Sequence, residues 1–194
     1  MAKFSKVFII LLCFLMSSCT ADESKLEVVT YAQFQSFVNE TGYVTVAETY
    51  GWSIVQLDVI NFETVDNANW KKPDGVNLVT SPELPVTQVS YQDAIAYCKW
   101  SQSRLPTYAE YWDLVANDSR LVVTDNMYPI SNISEVNIVG NVWEITQSEK
   151  SESVRLAGGS LYCSEKTCNG TDSRRKLLVD KETGNTHIGF AVIY

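Results

Sequence analysis

The stretch Leu84–Trp112, LPVTQVSYQDAIAYCKWSQSRLPTYAEYW, holds two helix starts in close succession. Ser90 is followed three residues on by Asp93, and Thr107 by Glu110. In each pair the hydroxyl accepts from a free N–H of the first turn and the acid answers back to the cap. Ala94, Ile95 and Cys98 form the apolar side of the first predicted helix; Tyr111, Leu114 and Val115 form that of the second. Pro106 stands just before the second start, which suits a chain entering a helix. Upstream, TYAQFQSFVNETG (30–42) has the same grammar. Thr30 caps, Gln33 answers, Phe34, Phe37 and Val38 share a face, and Gly42 ends the helix.

Beyond Ala116 the helical period stops. The pieces RLVV (120–123), VNIV (136–139), VRLAGGSL (154–161) and HIGFAVIY (187–194) lean towards β structure. Much of the remainder is Asn, Asp, Ser, Thr and Gly, which predicts long ordered loops. Such loops need fixing by ions or dense packing, and five Trp and ten Tyr supply material for the latter. The 194 residues, 45% hydrophobic and 20% charged, suit one globular domain. A net charge of −8 lacks the basic face that nucleic-acid binding needs, so no nucleic-acid partner is expected.

Residues 1–18 read as a lipoprotein-type signal peptide: Lys3 and Lys6, an apolar run from Val7 to Met16, then Ser17 and Ser18. The run is shorter than the ~20 apolar residues a spanning helix needs. Met16-Ser17-Ser18-Cys19 resembles a lipobox, with Cys19 as the lipidation site; an ordinary cleaved signal with an incidental cysteine is the alternative. Residues 19–27 would be a polar tether and 28–194 the domain. The expected location is the bacterial cell envelope, on the periplasmic or outer-membrane side, held to the membrane by acyl chains.

Two stretches carry candidate chemistry. In GGSLYCSEKTCNG (158–170), Cys163 and Cys168 could close a disulfide, the default in an exported chain. As free thiolates they would instead prefer a soft ion, Cu(I) or Zn²⁺. A four-ligand structural zinc is disfavoured, because His187 is the only histidine and Cys98 lies on a helix's apolar face. His187 itself reads as packing or surface, and no Ser-His-Asp set can be built on it. In VNIVGNVWEIT (136–146), the Asn137 side chain, the Gly140 and Val142 carbonyls and the Glu144 carboxylate offer closely spaced hard oxygens. Such a set suits Ca²⁺, with a plain tight turn as the bland alternative.

FVNETGYVTVAE, NANWKKPDG, the Leu84–Trp112 stretch, NIVGNVWEIT, GGSLYCSEKTC and HIGF follow one another in the order found in formylglycine-generating enzymes, the sulfatase-modifying factor family. The chain resembles that family from about Leu26 to its end. The resemblance implies an α+β fold: the family's variant of the C-type lectin fold, with few helices, irregular twisted β-ribbons and long ordered loops. It further implies an O₂-dependent oxidase that converts a cysteine in a C-x-P-x-R segment of an exported protein or peptide, such as a sulfatase, to formylglycine. Cys163 and Cys168 would hold Cu(I), Ser160 and Trp143 would flank the reacting thiol, and Asn137, Gly140, Val142 and Glu144 would form one Ca²⁺ site. Several positions depart from the family pattern: Ile145, Ala157, Ser164 and Ala191, together with a missing N-terminal ribbon. These losses are expected to touch the sheet edges and substrate groove more than the cysteine pair. The alternative is a non-catalytic, lectin-like surface lipoprotein of the same fold that binds a ligand or protein.

Overall fold

The computed structural model describes residues 25–116, 118, 130–148, 152–163, 169–170 and 172–194. The signal segment, Cys19, the RLVV piece and Cys168 lie outside the described residues. Among those described, no helix is long and apolar enough to cross a membrane.

All three predicted capping boxes are present. They open α1 (Tyr31–Thr41), α3 (Tyr91–Ser101) and α4 (Tyr108–Val115). A fourth, Thr45 with Glu48, opens the short α2 (Val46–Tyr50), which the sequence reading missed. Its five residues are too few for a visible helical period. Gly42 and Gly51 end α1 and α2 in the left-handed conformation. Ile95 departs from expectation: it is 41% exposed, while Tyr97 takes the buried position beside Ala94 and Cys98.

The main sheet has five strands in the order β1-β7-β4-β5-β6. These are β1 (Leu26–Val28), β4 (Trp143–Ile145), β5 (Ser153–Ala157), β6 (Leu177–Asp180) and β7 (Ile188–Ile193), and β4 and β7 run parallel. A separate two-stranded ribbon pairs β2 (Trp52–Gln56) with β3 (Phe62–Asp66). Leu26 and Glu27 pair with Ile193 and Val192, so the ordered fold begins ahead of the expected boundary at residue 28. VNIV (136–139) is not a strand but a buried loop whose bonds close on nearby side chains.

One face of the sheet meets α1 and α3. Phe34 is central there, with Trp70, Tyr97, Phe37 and Phe190 all within 6.3 Å between ring centroids. The other face meets α4 through Tyr111 and Val115, packed with Ala157 and Ala191. Strand alternation sorts the side chains: Trp143, Ile145, Val154, Leu156, Ile188 and Phe190 join the first core, and Ala157 and Ala191 the second.

Asp93 ties α3 to α2. Its buried carboxylate accepts from the Ser90 N–H (2.7 Å), the Val46 N–H (3.1 Å) and the Tyr43 hydroxyl (3.0 Å). Asp93→Ala would leave these donors unsatisfied, a cost of about 3 kcal/mol. Thermal unfolding should then fall by roughly 8 °C. Thr41→Ala, which removes a hydroxyl bonded only within its own helix end, should leave the midpoint almost unchanged.

Candidate functional site

Strand β4 decides where the chemistry sits. Its three residues are all buried, because β7 and β5 flank it and helices cover both faces. Trp143 faces the α1/α3 core and shares that core with Cys163. Glu144 faces the other way, under α4.

On the Trp143 side, Cys163 is 3% exposed and disulfide-bonded. Its N–H donates to the Ser160 carbonyl (2.8 Å), and its carbonyl accepts from the Gly170 N–H (3.3 Å). A methyl group on Gly170 would lie 2.7 Å from Cys163 Sγ and 2.9 Å from Trp143 Cη2. Sulfur, glycine and indole are therefore packed together. The Ser160 hydroxyl is fully buried and meets no hydrogen-bond partner among the described residues. The structure thus gathers Cys163, Ser160 and Trp143 in one place, while Cys168 lies outside the described residues. As a disulfide, Cys163 offers no thiolate, so the donor chemistry fits Cu(I) only after reduction.

His187 belongs to this neighbourhood. Its carbonyl accepts from the Trp143 N–H (2.8 Å), and its ring lies 4.5 Å from that of Tyr162. It is completely buried, and neither ring nitrogen has a hydrogen-bond partner among the described residues. Burial takes its pKa down to about 4, so the imidazole is neutral at pH 7.

On the opposite face, Glu144 Oε2 accepts from the Tyr111 hydroxyl (3.0 Å) and Oε1 is buried without a partner among the described residues. Burial raises the Glu144 carboxyl well above the usual carboxylate range. Asn137 Oδ1 accepts from the Val139 N–H (2.8 Å), and its Nδ2 donates to the Asp118 carbonyl (2.9 Å). Asn137, Val142 and Glu144 line a cavity of about 660 Å³, which Glu27, Asp113 and Asp118 also border. An orphaned, buried carboxylate oxygen in such surroundings fits a hard cation such as Ca²⁺. The cavity does not take in Cys163, Ser160 or Trp143.

The glycine pair joins the two faces. Gly158 and Gly159 have φ of 85° and 78°, a region costly for any other residue. A methyl on Gly158 would overlap Glu144 Oε2 and the Tyr111 hydroxyl; one on Gly159 would lie 2.8 Å from the Gly170 carbonyl carbon. Gly158 also accepts from the Gly140 N–H (2.9 Å), which closes the 137–144 passage against the pair. The pair was quoted in the sequence only as the lead-in to the cysteines, and Tyr111 only as packing. A doubled glycine at the end of a strand was the signal available.

Comparison with known proteins places the chain in a family. The sulfatase-modifying factor enzyme 1-like domain family matches residues 24–137, more than half of the chain. The chain belongs to this family. A formylglycine-generating enzyme of Thermomonospora curvata is 41% identical over 105 residues, covering 45% of this chain and 34% of its own. The inactive Cα-formylglycine-generating enzyme 2 of Bos taurus is 34% identical over 134 residues, 60% of this chain and 43% of its own. The chain thus spans only a third to under half the length of these curated relatives. Among solved structures, PvdO from Pseudomonas aeruginosa superposes with a TM-score of 0.59 at 16% identity, covering 86% of this chain and 77% of that one, a likeness of fold alone. The architecture is the α+β, formylglycine-generating-enzyme type of the C-type lectin fold.

Of the family departures, Ser164 lies outside the described residues, and the other three are placed as follows. Ala157 and Ala191 are fully buried with Tyr111 on the α4 face, across the sheet from Cys163. Ile145 is buried in the first core. Ala157 and Ala191 thus lie away from Cys163, whereas Ile145 shares its core.

Gly158→Ala should lower stability by at least about 2 kcal/mol, since it combines an unfavourable φ with overlap on Glu144. A melting midpoint within 1 °C of wild type, on a scale where 1 kcal/mol shifts it by roughly 2–4 °C, would contradict the packing described.

The pH dependence has a definite sign. With calcium chelated, the folded Glu144 holds its proton more tightly than the unfolded chain does. Its contribution is full below the ordinary glutamate value and is lost as pH rises through the raised one. His187 acts in the opposite direction between about 4 and 6.5, where acidification costs stability. Wild type should therefore lose stability relative to Glu144→Gln as pH rises above 6.5. A widening advantage of wild type over that range would contradict the assignment.

Proposed function

We propose that this chain is a formylglycine-generating oxidase of the cell envelope, acting through the reduced form of Cys163 and Cys168. The single observation that carries the reading is the contact set of Cys163 Sγ, Gly170 and Trp143, with the unpartnered Ser160 hydroxyl close in the chain. Cys163 and Cys168 would hold Cu(I), which when bound supplies the redox chemistry linking O₂ to a substrate cysteine. The chain's own residues set the stage. Trp143 walls the sulfur and excludes water. Ser160 offers a buried hydroxyl whose hydrogen-bonding capacity is unspent, suited to meeting an incoming thiol. Glycine at 159 and 170 leaves room for close backbone approach beside the sulfur. The substrate would be a C-x-P-x-R segment of an exported protein, of sulfatase type.

On the far face, Asn137, Gly140, Val142 and Glu144 would hold one Ca²⁺. The buried, half-partnered carboxylate supports this. Attachment to the bacterial envelope through a lipid on Cys19, after removal of residues 1–18, completes the reading.

A second reading has its own support. The disulfide at Cys163 and the likeness to an inactive relative favour a non-catalytic binding protein of the same fold. The two separate cleanly. Fully reduced protein titrated with Cu(I) under argon should take up one equivalent and, once O₂ is admitted, convert a C-x-P-x-R peptide to the aldehyde, seen as loss of sulfur by mass spectrometry. Cys163→Ser should abolish both. Absence of stoichiometric uptake by the folded, reduced wild type, or undiminished turnover by Cys163→Ser, would falsify the oxidase reading. For calcium, millimolar addition, within the roughly 10⁻⁴–10⁻³ M range of extracellular sites, should raise the melting midpoint of wild type but not of Glu144→Gln. An equal rise in both would remove the ion from Glu144.

A further inference from the structure

The β2–β3 ribbon stands apart from the chemistry of both sheet faces. Ser53 and Val55 are buried and anchor β2, and Ile54 bridges to Asn185. The far strand, β3, is exposed over Phe62–Thr64, while Gly75 lies against Val65 and the Asp66 carbonyl at its end. The bonds Leu57 N–H to Asn61 O and Asn67 N–H to Gly51 O close the two ends of the ribbon. Antiparallel bonding alternates from one pair to the next, so Val55–Glu63 and Ser53–Val65 are the hydrogen-bonded pairs between those ends. The N–H and C=O groups of Phe62 and Thr64 therefore point away from β2. No strand among the described residues pairs with that edge.

Natural edges are commonly blunted by proline, lysine, a bulge or a covering segment. Residues 52–66 contain no proline, lysine or arginine. They do contain Asp58, Glu63 and Asp66. Beside these carboxylates stand exposed apolar side chains: Leu57 at 48%, Ile60 at 80% and Phe62 at 53%. Phe62 and Asp66 lie on one face of β3, two positions either side of Thr64.

We propose that the outer edge of β3 receives an extended, basic segment of a partner protein by strand addition. The backbone groups of Phe62 and Thr64 supply the hydrogen bonds, Phe62 takes an apolar side chain, and Asp66 takes a lysine or arginine on the same face. Charge selects the occupant. A second copy would bring two more carboxylates to an edge strand that already carries two, Glu63 and Asp66, and like charges across strands are destabilising. A basic strand instead meets both the open backbone and the uncompensated charge. This surface does not rest on the cysteine chemistry, and it serves either an oxidase or a binding protein.

The test uses the full chain and two blocked nonapeptides, one alternating lysine with valine and one alternating glutamate with valine. The lysine peptide should bind and slow amide exchange at Phe62 and Thr64 by at least about tenfold, the equivalent of 1.4 kcal/mol. The glutamate peptide should not bind. Asp66→Lys should weaken the lysine peptide by a similar factor with an unchanged melting midpoint, as should Thr64→Pro, which removes an outward N–H. Three outcomes overturn the proposal: no binding of the lysine peptide; binding without protection of these two amides; or amides already protected in the peptide-free protein, which would mean that residues 1–24 or a second copy cover the edge.

Discussion

The period-two alternation of β4 is the constraint from which the rest of the site follows. Three consecutive residues, Trp143, Glu144 and Ile145, lie in the middle of a sheet covered on both sides. Adjacent side chains must therefore point into different cores. The indole goes to the sulfur of Cys163 and the carboxylate goes to the hydroxyl of Tyr111. A shift of one residue would bury the carboxylate against Phe190's core and turn the indole towards α4, so the register is strongly specified. The glycine pair makes this arrangement continuous. It leaves β5 at Ala157, clears the carboxylate with one missing side chain, and clears Gly170 beside the cysteine with the next.

Several buried polar atoms in this region meet no partner among the described residues: Glu144 Oε1, the Ser160 hydroxyl and both ring nitrogens of His187. Such atoms are costly where nothing satisfies them. Of the family departures, Ala157 and Ala191 lie on the α4 face, while Ile145 shares the core of Cys163.

Much of this was legible in the chain. The capping boxes at Thr30, Ser90 and Thr107 located three helices, because that signal is local and its hydrogen bonds are made within four residues. The two chemical stretches were visible as clusters of sulfur and oxygen donors. What the chain hid was non-local. Ile95 looked like a core residue, yet its helix turns Tyr97 inward instead. VNIV has strand composition but lies in a loop, since the Val139 N–H turns back on the Asn137 side chain rather than meeting another strand. Tyr111 reads as helix packing until the sheet brings Glu144 beneath it. His187 gave no hint that a lone histidine would be sealed beside Tyr162.

The central proposal is that the β4 register and the glycine pair position Cys163 to bind Cu(I) once reduced, with Glu144 available to an ion on the reverse face. A crystal structure of the reduced protein grown with Cu(I), with diffraction recorded on both sides of the copper absorption edge, tests it most directly. The account predicts an anomalous peak bonded to Cys163 Sγ beside Trp143, with Gly158 and Gly159 still in the left-handed region. A peak at another residue, or a reduced cysteine free of copper in a glycine pair that has moved away, would contradict it.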